Sequence, residues 1–209
     1  MVAAYAHQWL EGNVDLRPST RARYESSLRY YVLAQPLAQG NRKTRRTSIG
    51  LGEVQLQELT RAHVITWWQS LPRDAHRRSC DLAYNLLKTL CLAAVQDGLI
   101  EASPVHVRAA GKPSRARNVE PLTPAEVLAI ADAMPPEWRL GVLLGAWCAL
   151  RSGEVRELRR RDIDLKRGTI RISRGVVRAG TTTYLGPPKT DAGTCTVQMK
   201  RPRFDAAPV

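Results

Sequence analysis

Apolar residues in the first hundred positions recur at helical spacing in four separate stretches. A repeat of every three or four residues is typical of an amphipathic helix with one face in a core. Thr60 fits the N-cap of the third helix, and Gly98 fits the position just after the fourth. We therefore predict a four-helix domain over residues 1–108. Its apolar stripes are Val2, Tyr5, Ala6 and Trp9; Tyr24, Leu28, Tyr31 and Val32; Val64, Trp67, Trp68 and Leu71; and Leu82, Leu86, Leu87, Leu90, Cys91, Ala94 and Val95.

Two tryptophans on the third stripe, Trp67 and Trp68, allow two interpretations. They are either core residues or platforms on which nucleic-acid bases stack. Because both fit the apolar stripe, the spacing favours the core.

A polar, basic segment containing glycine and proline follows at residues 109–119 and is typical of a linker. Thr123 and Glu126 then have the spacing of a capping box, which predicts the start of a new helix. The run from Gly141 to Leu150 has no polar face, so we expect a helix that is buried on most sides. We place a second domain at residues 120–209.

After Asp164 the apolar period changes to two, which indicates strands. Ile170 and Ile172 alternate with polar residues in one predicted strand, and residues 181–185 and 194–199 predict two more. The segment between the last two strands is rich in turn residues, which predicts a hairpin with Lys189 at its tip. The predicted fold class is mainly α with a small β-sheet.

Basic residues outnumber acidic ones, with 32 lysines and arginines against 19 carboxylates and a net charge of +13. Such an excess is typical of a protein that binds a polyanion, most often nucleic acid and less often an anionic membrane. A generally basic soluble protein is the other interpretation. We expect DNA contacts on one helix face, in a basic loop, in a basic connection at residues 73–78 and in the linker. The predicted contacts are Arg17, Arg21, Arg23, Arg42, Lys43, Arg45, Arg46, Arg77, Arg78, Lys112, Arg115 and Arg117.

Composition also argues against several classes of protein. An apolar content of 44% supports a packed core and not a disordered chain. Cys80, Cys91, Cys148 and Cys195 form no C-x-x-C pair and have no histidine cluster beside them, so we expect no metal site. We also expect no cofactor and no small-molecule ligand. With no signal-peptide pattern and no apolar run long enough to span a bilayer, we expect a cytoplasmic protein without a membrane partner.

The candidate chemistry lies where the apolar run stops, at Arg151. Ser152 and Gly153 suit a turn, and Glu154 falls in the first turn of the helix that follows. The Arg151 guanidinium can bind a phosphate in bidentate fashion with Glu154 holding it in place, or it can cap the end of the preceding helix. Spacing alone leaves both interpretations open. Lys189 would add a flexible ammonium group.

The pattern ALRSGEVRELRRRDIDL, at residues 149–165, resembles the first catalytic-arginine motif of the tyrosine recombinases, the phage integrase family. Pro188-Lys189-Thr190 is similar to the lysine-bearing hairpin of that family, and residues 17–20 and 56–60 resemble parts of its core-binding domain. The resemblance implies a SAM-like core-binding domain in the first part of the chain. It implies the first part of an α+β catalytic domain in the second.

The chemistry that this resemblance implies is strand exchange on double-stranded DNA. In the family a tyrosine attacks a backbone phosphate and forms a covalent link, with no metal. By the motif match, Arg151 would bind the non-bridging oxygens, Glu154 would support it, and Lys189 would protonate the leaving 5′-oxygen. Recombinases of this family assemble on DNA, so self-association there is also expected.

One departure from the family pattern limits this expectation. The second motif of the family, His-x-x-Arg, and its nucleophilic tyrosine lie downstream of the lysine, whereas the 20 residues after Lys189 contain no His, Trp or Tyr. We therefore expect a truncated, bacterial or phage-encoded integrase-like protein that binds DNA, does not cleave it alone, and has a second domain of low stability. The alternative is a non-catalytic DNA-binding protein that occupies integrase core sites.

Overall fold

The computed structural model describes residues 1–33, 49–108, 110–111, 120–188 and 190–199, apart from the side chain of Asp191. Its contacts divide the chain into two compact units, unit 1 (Met1–Arg117) and unit 2 (Asn118–Val209). The domain bounds 1–108, 109–119 and 120–209 stay a prediction, because most of the linker lies outside the described residues.

Unit 1 is helical over its described residues, as the apolar stripes predicted. A π-helical turn, Leu28–Val32, continues the second helix, and a 3-10 turn, Leu56–Glu58, precedes the third. The helices are α1 (Val2–Gly12), α2 (Pro18–Ser27), α3 (Arg61–Ser70) and α4 (Arg73–Gln96).

Two helix ends in unit 1 follow the predicted local rules. The side-chain oxygen of Thr60 accepts the N–H of His63 at 3.3 Å, and Nδ1 of His63 accepts the N–H of Thr60 at 3.3 Å. Gly98 follows α4 with a φ of 72°, in the left-handed region that glycine enters without steric cost. Both predicted caps are confirmed.

The predicted basic connection at residues 73–78 is wrong, because Arg73 begins α4. Asp74 lies in the first turn of that helix, where a carboxylate favours the positive end of the helix dipole. His76 has non-helical torsion angles, φ −136° and ψ 39°, and marks a kink. The apolar period missed this first turn because no apolar stripe begins before Cys80.

The core of unit 1 includes Trp67, which is fully buried, and Trp68, which is buried beside it. The indole N–H of Trp67 donates to the carbonyl of Tyr31 in the π-helical turn at 2.8 Å. The Trp67 ring stacks on that of Tyr84 with 6.5 Å between centroids. Both tryptophans are therefore core residues, which confirms the interpretation that the spacing favoured.

Unit 2 combines helices with short antiparallel strands. The capping box at its first helix is confirmed: Oγ1 of Thr123 accepts the N–H of Glu126 at 3.3 Å, and the Glu126 carboxylate accepts the N–H of Thr123 at 2.8 Å. The described elements are α5 (Pro124–Ala133), α6 (Pro136–Trp147), α7 (Ser152–Arg156), β1 (Ile163–Asp164), β2 (Thr169–Ile172), β3 (Gly175–Ala179), β4 (Thr182–Gly186) and β5 (Cys195–Gln198).

Within the described residues, these strands form one sheet of order β1-β2-β5 and a separate β3-β4 hairpin. Ile170 and Ile172 of β2 are buried and pack in one cluster with Leu144, Cys148 and Leu150. The alternation predicted for β2 is therefore confirmed, as is the fold class, mainly α with a small β-sheet.

Two predictions about unit 2 are wrong. Strand β5 pairs with β2 and β4 pairs with β3, so β4 and β5 do not pair with each other as the two arms of the predicted hairpin. Helix α6 is not buried on most sides: Leu144 is its buried residue, and Ala146 in the predicted run is exposed. Trp138 and Leu140, which precede that run in α6, are 54% and 58% exposed. The small core of the described unit does not cover the apolar surface of this helix. No helix among the described residues is long and apolar enough to cross a membrane.

Candidate functional site around Arg151

The connection from α6 to α7 contains one strained residue, Ala149. Its φ of 54° lies in the left-handed region, where a residue with a Cβ atom is disfavoured by about 1–2 kcal/mol. Cys148 and Leu150 on either side are buried in the core, whereas Ala149 is exposed. The strained residue therefore lets two neighbours reach the core and is followed at once by an outward-facing Arg151.

The carboxylate of Glu154 holds Arg151 at two points. Its Oε2 accepts the backbone N–H of Arg151 at 2.9 Å, and its Oε1 accepts Nη1 of the guanidinium at 2.8 Å. The Glu154 side chain is 10% exposed, whereas that of Arg151 is 72% exposed. A nearly buried carboxylate thus fixes an exposed cation at the start of α7.

This geometry argues against one of the two interpretations of Arg151 that spacing left open, the capping of the preceding helix, and leaves phosphate binding a prediction. No carbonyl of α6 within the described residues accepts a hydrogen bond from the Arg151 guanidinium, so that side chain does not cap α6. The bond to Glu154 is the support that the sequence suggested. The guanidinium faces solvent, so no desolvation cost attaches to its place after the end of α6.

Gly153 lets the start of α7 lie directly against β3. A Cβ atom added at this position would overlap the carbonyl oxygen of Val176. Since that oxygen belongs to the backbone, no side-chain rotation can make room for the added Cβ atom. The sequence indicated only that Gly153 suits a turn; close packing against a non-local strand is the stricter requirement.

Sequence reasoning missed an ion-pair cluster in the same unit. Arg174 donates through Nε to Glu157 at 3.2 Å and through Nη2 to Asp162 at 2.7 Å. Asp162 also accepts the N–H of Arg159 at 2.9 Å. The cluster ties the chain after α7 to the start of β3. Asp162 and Glu157 lie 12 and 17 residues before Arg174, so no helical or strand spacing could have revealed the cluster.

An open cleft of about 240 Å³ lies beside Arg151. Burial raises the pKa of the Cys148 thiol in its wall, so this thiol stays protonated and neutral near pH 7. The walls of the cleft combine polar and apolar groups, with the Arg151–Glu154 pair as the charged element. The lining residues are Cys148, Ala149, Leu150, Arg151, Glu154, Ile172, Thr190, Ala192, Gly193, Cys195 and Val197. Among the described residues, no three histidines, cysteines or carboxylates come together as metal ligands would.

Lys189 lies outside the described residues, so its place relative to Arg151 stays a prediction. The next residue, Thr190, lines the cleft. Several of the predicted DNA contacts also lie outside the described residues and remain predictions; they are Arg42, Lys43, Arg45, Arg46, Lys112, Arg115 and Arg117.

Arg21, one of the predicted DNA contacts in unit 1, has a structural role in the fold. Its Nη1 donates to the carbonyl of Leu10 at 2.9 Å, and its Nη2 donates to the carbonyl of Asn13 at 2.8 Å. These bonds satisfy carbonyls at the end of α1, where no helical N–H is available to them. They account for the position of Arg21 without any ligand.

The other predicted contacts in the described part of unit 1 are Arg17, Arg23, Arg77 and Arg78, and all four are exposed. Arg77 lies 3.8 Å from Asp81, one helical turn further along α4. Arg23 and Arg78 form no hydrogen bond or ion pair with the described part of the chain. Their roles as DNA contacts stay predictions.

No family model matches the chain. The chain is similar to the phiRv2 prophage integrase of Mycobacterium tuberculosis, with 32% identity over 189 residues that make up 90% of this chain and 46% of that protein. It is also similar to the integrase of Mycobacterium phage L5, with 35% identity over 186 residues, 85% of this chain and 48% of that protein. The chain therefore spans about half the length of these relatives.

Solved structures share the fold. The Tn1549 transposon integrase in complex with a circular intermediate DNA has a TM-score of 0.72 at 18% identity and covers 95% of this chain and 61% of its own. A lambda integrase dimer bound to a COC′ core site has a TM-score of 0.58 at 17% identity and covers 88% of this chain and 47% of its own. At these identities the likeness establishes the fold alone.

The substitution Ala149→Gly should raise the free energy of unfolding of unit 2 by about 0.5–1 kcal/mol. Glycine relieves the left-handed strain, and this gain exceeds the loss caused by its greater freedom in the unfolded chain. Native-state hydrogen exchange, resolved to peptides from β2 and β5, measures this change within one unit. Ala146→Gly, at an exposed position in the last turn of α6, is the control and should lower stability by up to about 1 kcal/mol. Equal losses in both variants would contradict the assigned strain.

Replacing Gly153→Ala should lower the free energy of unfolding of unit 2 by about 3 kcal/mol, because the new methyl group meets the Val176 backbone. Gly141→Ala in α6 is the control, since a Cβ atom there would lie at an ordinary 3.6 Å from Val155 Cγ1. It should leave stability unchanged or raise it by up to about 1 kcal/mol. The same exchange measurement compares the two variants, and a tolerated Gly153→Ala would exclude the proposed close packing.

Proposed function

Since this chain is a member of the phage integrase family over the part of those proteins that it spans, we propose that it binds duplex DNA and presents Arg151 to a backbone phosphate. The observation that carries this proposal is the exposed Arg151 guanidinium held by the nearly buried Glu154. The pair combines an available cation with a fixed position, which a phosphate site requires.

The arrangement leaves most of the guanidinium available to a ligand. A guanidinium has five N–H donors in a rigid plane. Among the described residues, Glu154 accepts one hydrogen bond from this group, through Nη1. The remaining donors can form two parallel bonds with phosphate oxygens. A lysine in this position would offer a point charge without that planar fork.

Glu154 also lowers the entropic cost of binding. An unrestrained arginine loses about 1.5–2 kcal/mol of rotamer freedom when it is ordered. Here the bond to Glu154 and the start of α7 already restrict the side chain before a ligand arrives. Part of the ordering cost is therefore met on folding, which favours tighter binding.

Charge and kinship support duplex DNA as the partner. The net charge of +13 favours a polyanion, and Arg23 and Arg78 offer exposed cations in unit 1. The solved structures of the same fold include integrases in complex with DNA, one of them a dimer on its core site. By this kinship we also propose self-association on DNA.

We propose no strand cleavage by these 209 residues alone. In the family pattern the nucleophilic tyrosine and the His-x-x-Arg motif follow the lysine, and the residues after Lys189 include no tyrosine or histidine. Arg151 and Glu154 stabilise charge on a phosphate but supply no nucleophile. The chain by itself is therefore proposed to bind and orient DNA, as a protein occupying core sites would.

Arg151→Ala should weaken binding of a 30-base-pair duplex about 5- to 20-fold at low salt and reduce the slope of log K against log salt by about 1, because one phosphate contact is lost. Fluorescence anisotropy over a KCl series measures both quantities. Arg151→Lys should keep the slope and lose part of the affinity, since it keeps the charge without the fork. Arg139→Ala is the matched control, an exposed arginine of the same unit that pairs with Asp132 at 3.0 Å. Equal effects of Arg151→Ala and Arg139→Ala would remove the case for a specific contact.

A nicked suicide duplex tests the proposal that this chain binds without cleaving. Such a substrate traps a covalent protein–DNA product because the cut fragment diffuses away. The purified 209-residue chain should shift the duplex in a native gel and give no covalent adduct on a denaturing gel. An adduct that survives denaturation would show that the chain contains a nucleophile, and digestion with mass spectrometry would identify it.

A further inference from the structure

Four arginines follow the candidate site in a segment of six residues, 156–161, which we call the arginine segment. The side chains of Arg156, Arg159, Arg160 and Arg161 are all exposed. Three of them, Arg156, Arg160 and Arg161, form no hydrogen bond or ion pair with the described part of the chain. The fourth, Arg159, is 47% exposed and lies 3.8 Å from Glu157. The segment therefore presents cations whose charges the fold does not neutralise.

The carboxylates of the same stretch are bonded within the fold. Glu154 binds Arg151, and Glu157 and Asp162 bind Arg174. The remaining carboxylate, Asp164, accepts the backbone N–H groups of Lys166 and Arg167, each at 2.9 Å. Each acidic group between residues 151 and 174 is thus engaged in the chain.

This division of charge differs from that of an ordinary solvated helix face. A solvated face usually alternates positive and negative groups that neutralise one another. Here residues 151–174 contain nine arginines and lysines against four carboxylates, and the cluster around Arg174 withdraws two of the four. The arginine segment therefore presents a positive potential to solvent.

The backbone beneath these arginines is also anchored. The N–H of Arg159 donates to Asp162, which in turn is bound by the largely buried Arg174. Leu158 and Ile163 pack against the core of unit 2. Cations on an anchored backbone lose less freedom on binding than cations in an unrestrained loop.

From these observations we propose that the arginine segment is a contact of unit 2 with the phosphate backbone of duplex DNA, additional to Arg151. The surface is sequence-independent, because guanidinium groups that bind phosphates read charge and spacing and not bases. It rests on the proposed function, since it needs a chain that binds DNA. The contribution of this surface to binding comes from counterion release and therefore falls as salt rises.

The test is a triple variant, Arg156→Gln, Arg160→Gln and Arg161→Gln, in the full 209-residue chain. Fluorescence anisotropy with a 30-base-pair duplex should show the slope of log K against log salt reduced by about 2–3 and affinity at 0.1 M KCl reduced at least about 10-fold. The matched control removes three other exposed charges from unit 2 with Arg139→Gln, Lys166→Gln and Arg178→Gln. It should change the slope by less than about 1. A third variant with lysine at positions 156, 160 and 161 should retain the slope of the unaltered chain.

The outcomes separate this surface from the proposed function. Equal slopes in the two glutamine variants would mean that net charge alone drives binding and would overturn the surface. An unchanged slope in the first variant, with circular dichroism confirming its fold, would overturn it as well while leaving DNA binding intact. A loss that the lysine variant fails to rescue, although circular dichroism shows it folded, would also overturn the surface, because restored charge at these positions would not restore binding. No binding by the unaltered chain at any salt would overturn the proposed function and this surface together.

Discussion

The bond between Glu154 and Arg151 is the interaction on which the candidate site depends. One carboxylate accepts both the backbone N–H that opens α7 and the guanidinium of the same residue. Because Glu154 is nearly buried, either partner alone would leave a carboxylate oxygen poorly satisfied, at a free-energy cost of about 1–3 kcal/mol. Helix capping and cation positioning are therefore one interaction. Two backbone features let α7 start at this place against β3: the left-handed conformation of Ala149 before the helix and the missing side chain of Gly153 in its first turn.

The features that could be predicted from the sequence depend on residues close together along the chain. Three of them join residues three positions apart, so spacing alone is enough to predict the contact. They are the Thr60 cap, the Thr123–Glu126 capping box and the Arg151–Glu154 pair. The alternation in β2 likewise reports a local period. The resemblance to integrases rested on the same local motifs, and kinship over 85–90% of the chain agrees with it.

The features that were missed depend on contacts between distant segments. Strand β5 bonds to β2 and not to its predecessor β4, a choice between two partners that no local pattern makes. The Arg174 cluster joins residues 12 to 17 positions apart, and Ala149 adopts a left-handed φ although alanine has no local preference for it. The exposure of Trp138 and Leu140 is of the same kind. An apolar sequence indicates that burying the helix would be favourable, but how much of its surface is buried depends on which other segments pack against it.

The contacts that stabilise unit 2 also determine the sign of its surface. Arg174 requires acidic partners in a place that is largely removed from water, and Glu157 and Asp162 meet that requirement. Those carboxylates are then lost as counter-charges for the arginines around them. Had they faced solvent, the stretch after α7 would carry alternating charges and a weak field. Because they face inward, the same interactions that hold β3 to the chain after α7 leave guanidinium groups uncompensated outside. A positive surface in this unit is thus a consequence of how its ion pairs are placed in the fold, and composition alone would not reveal it.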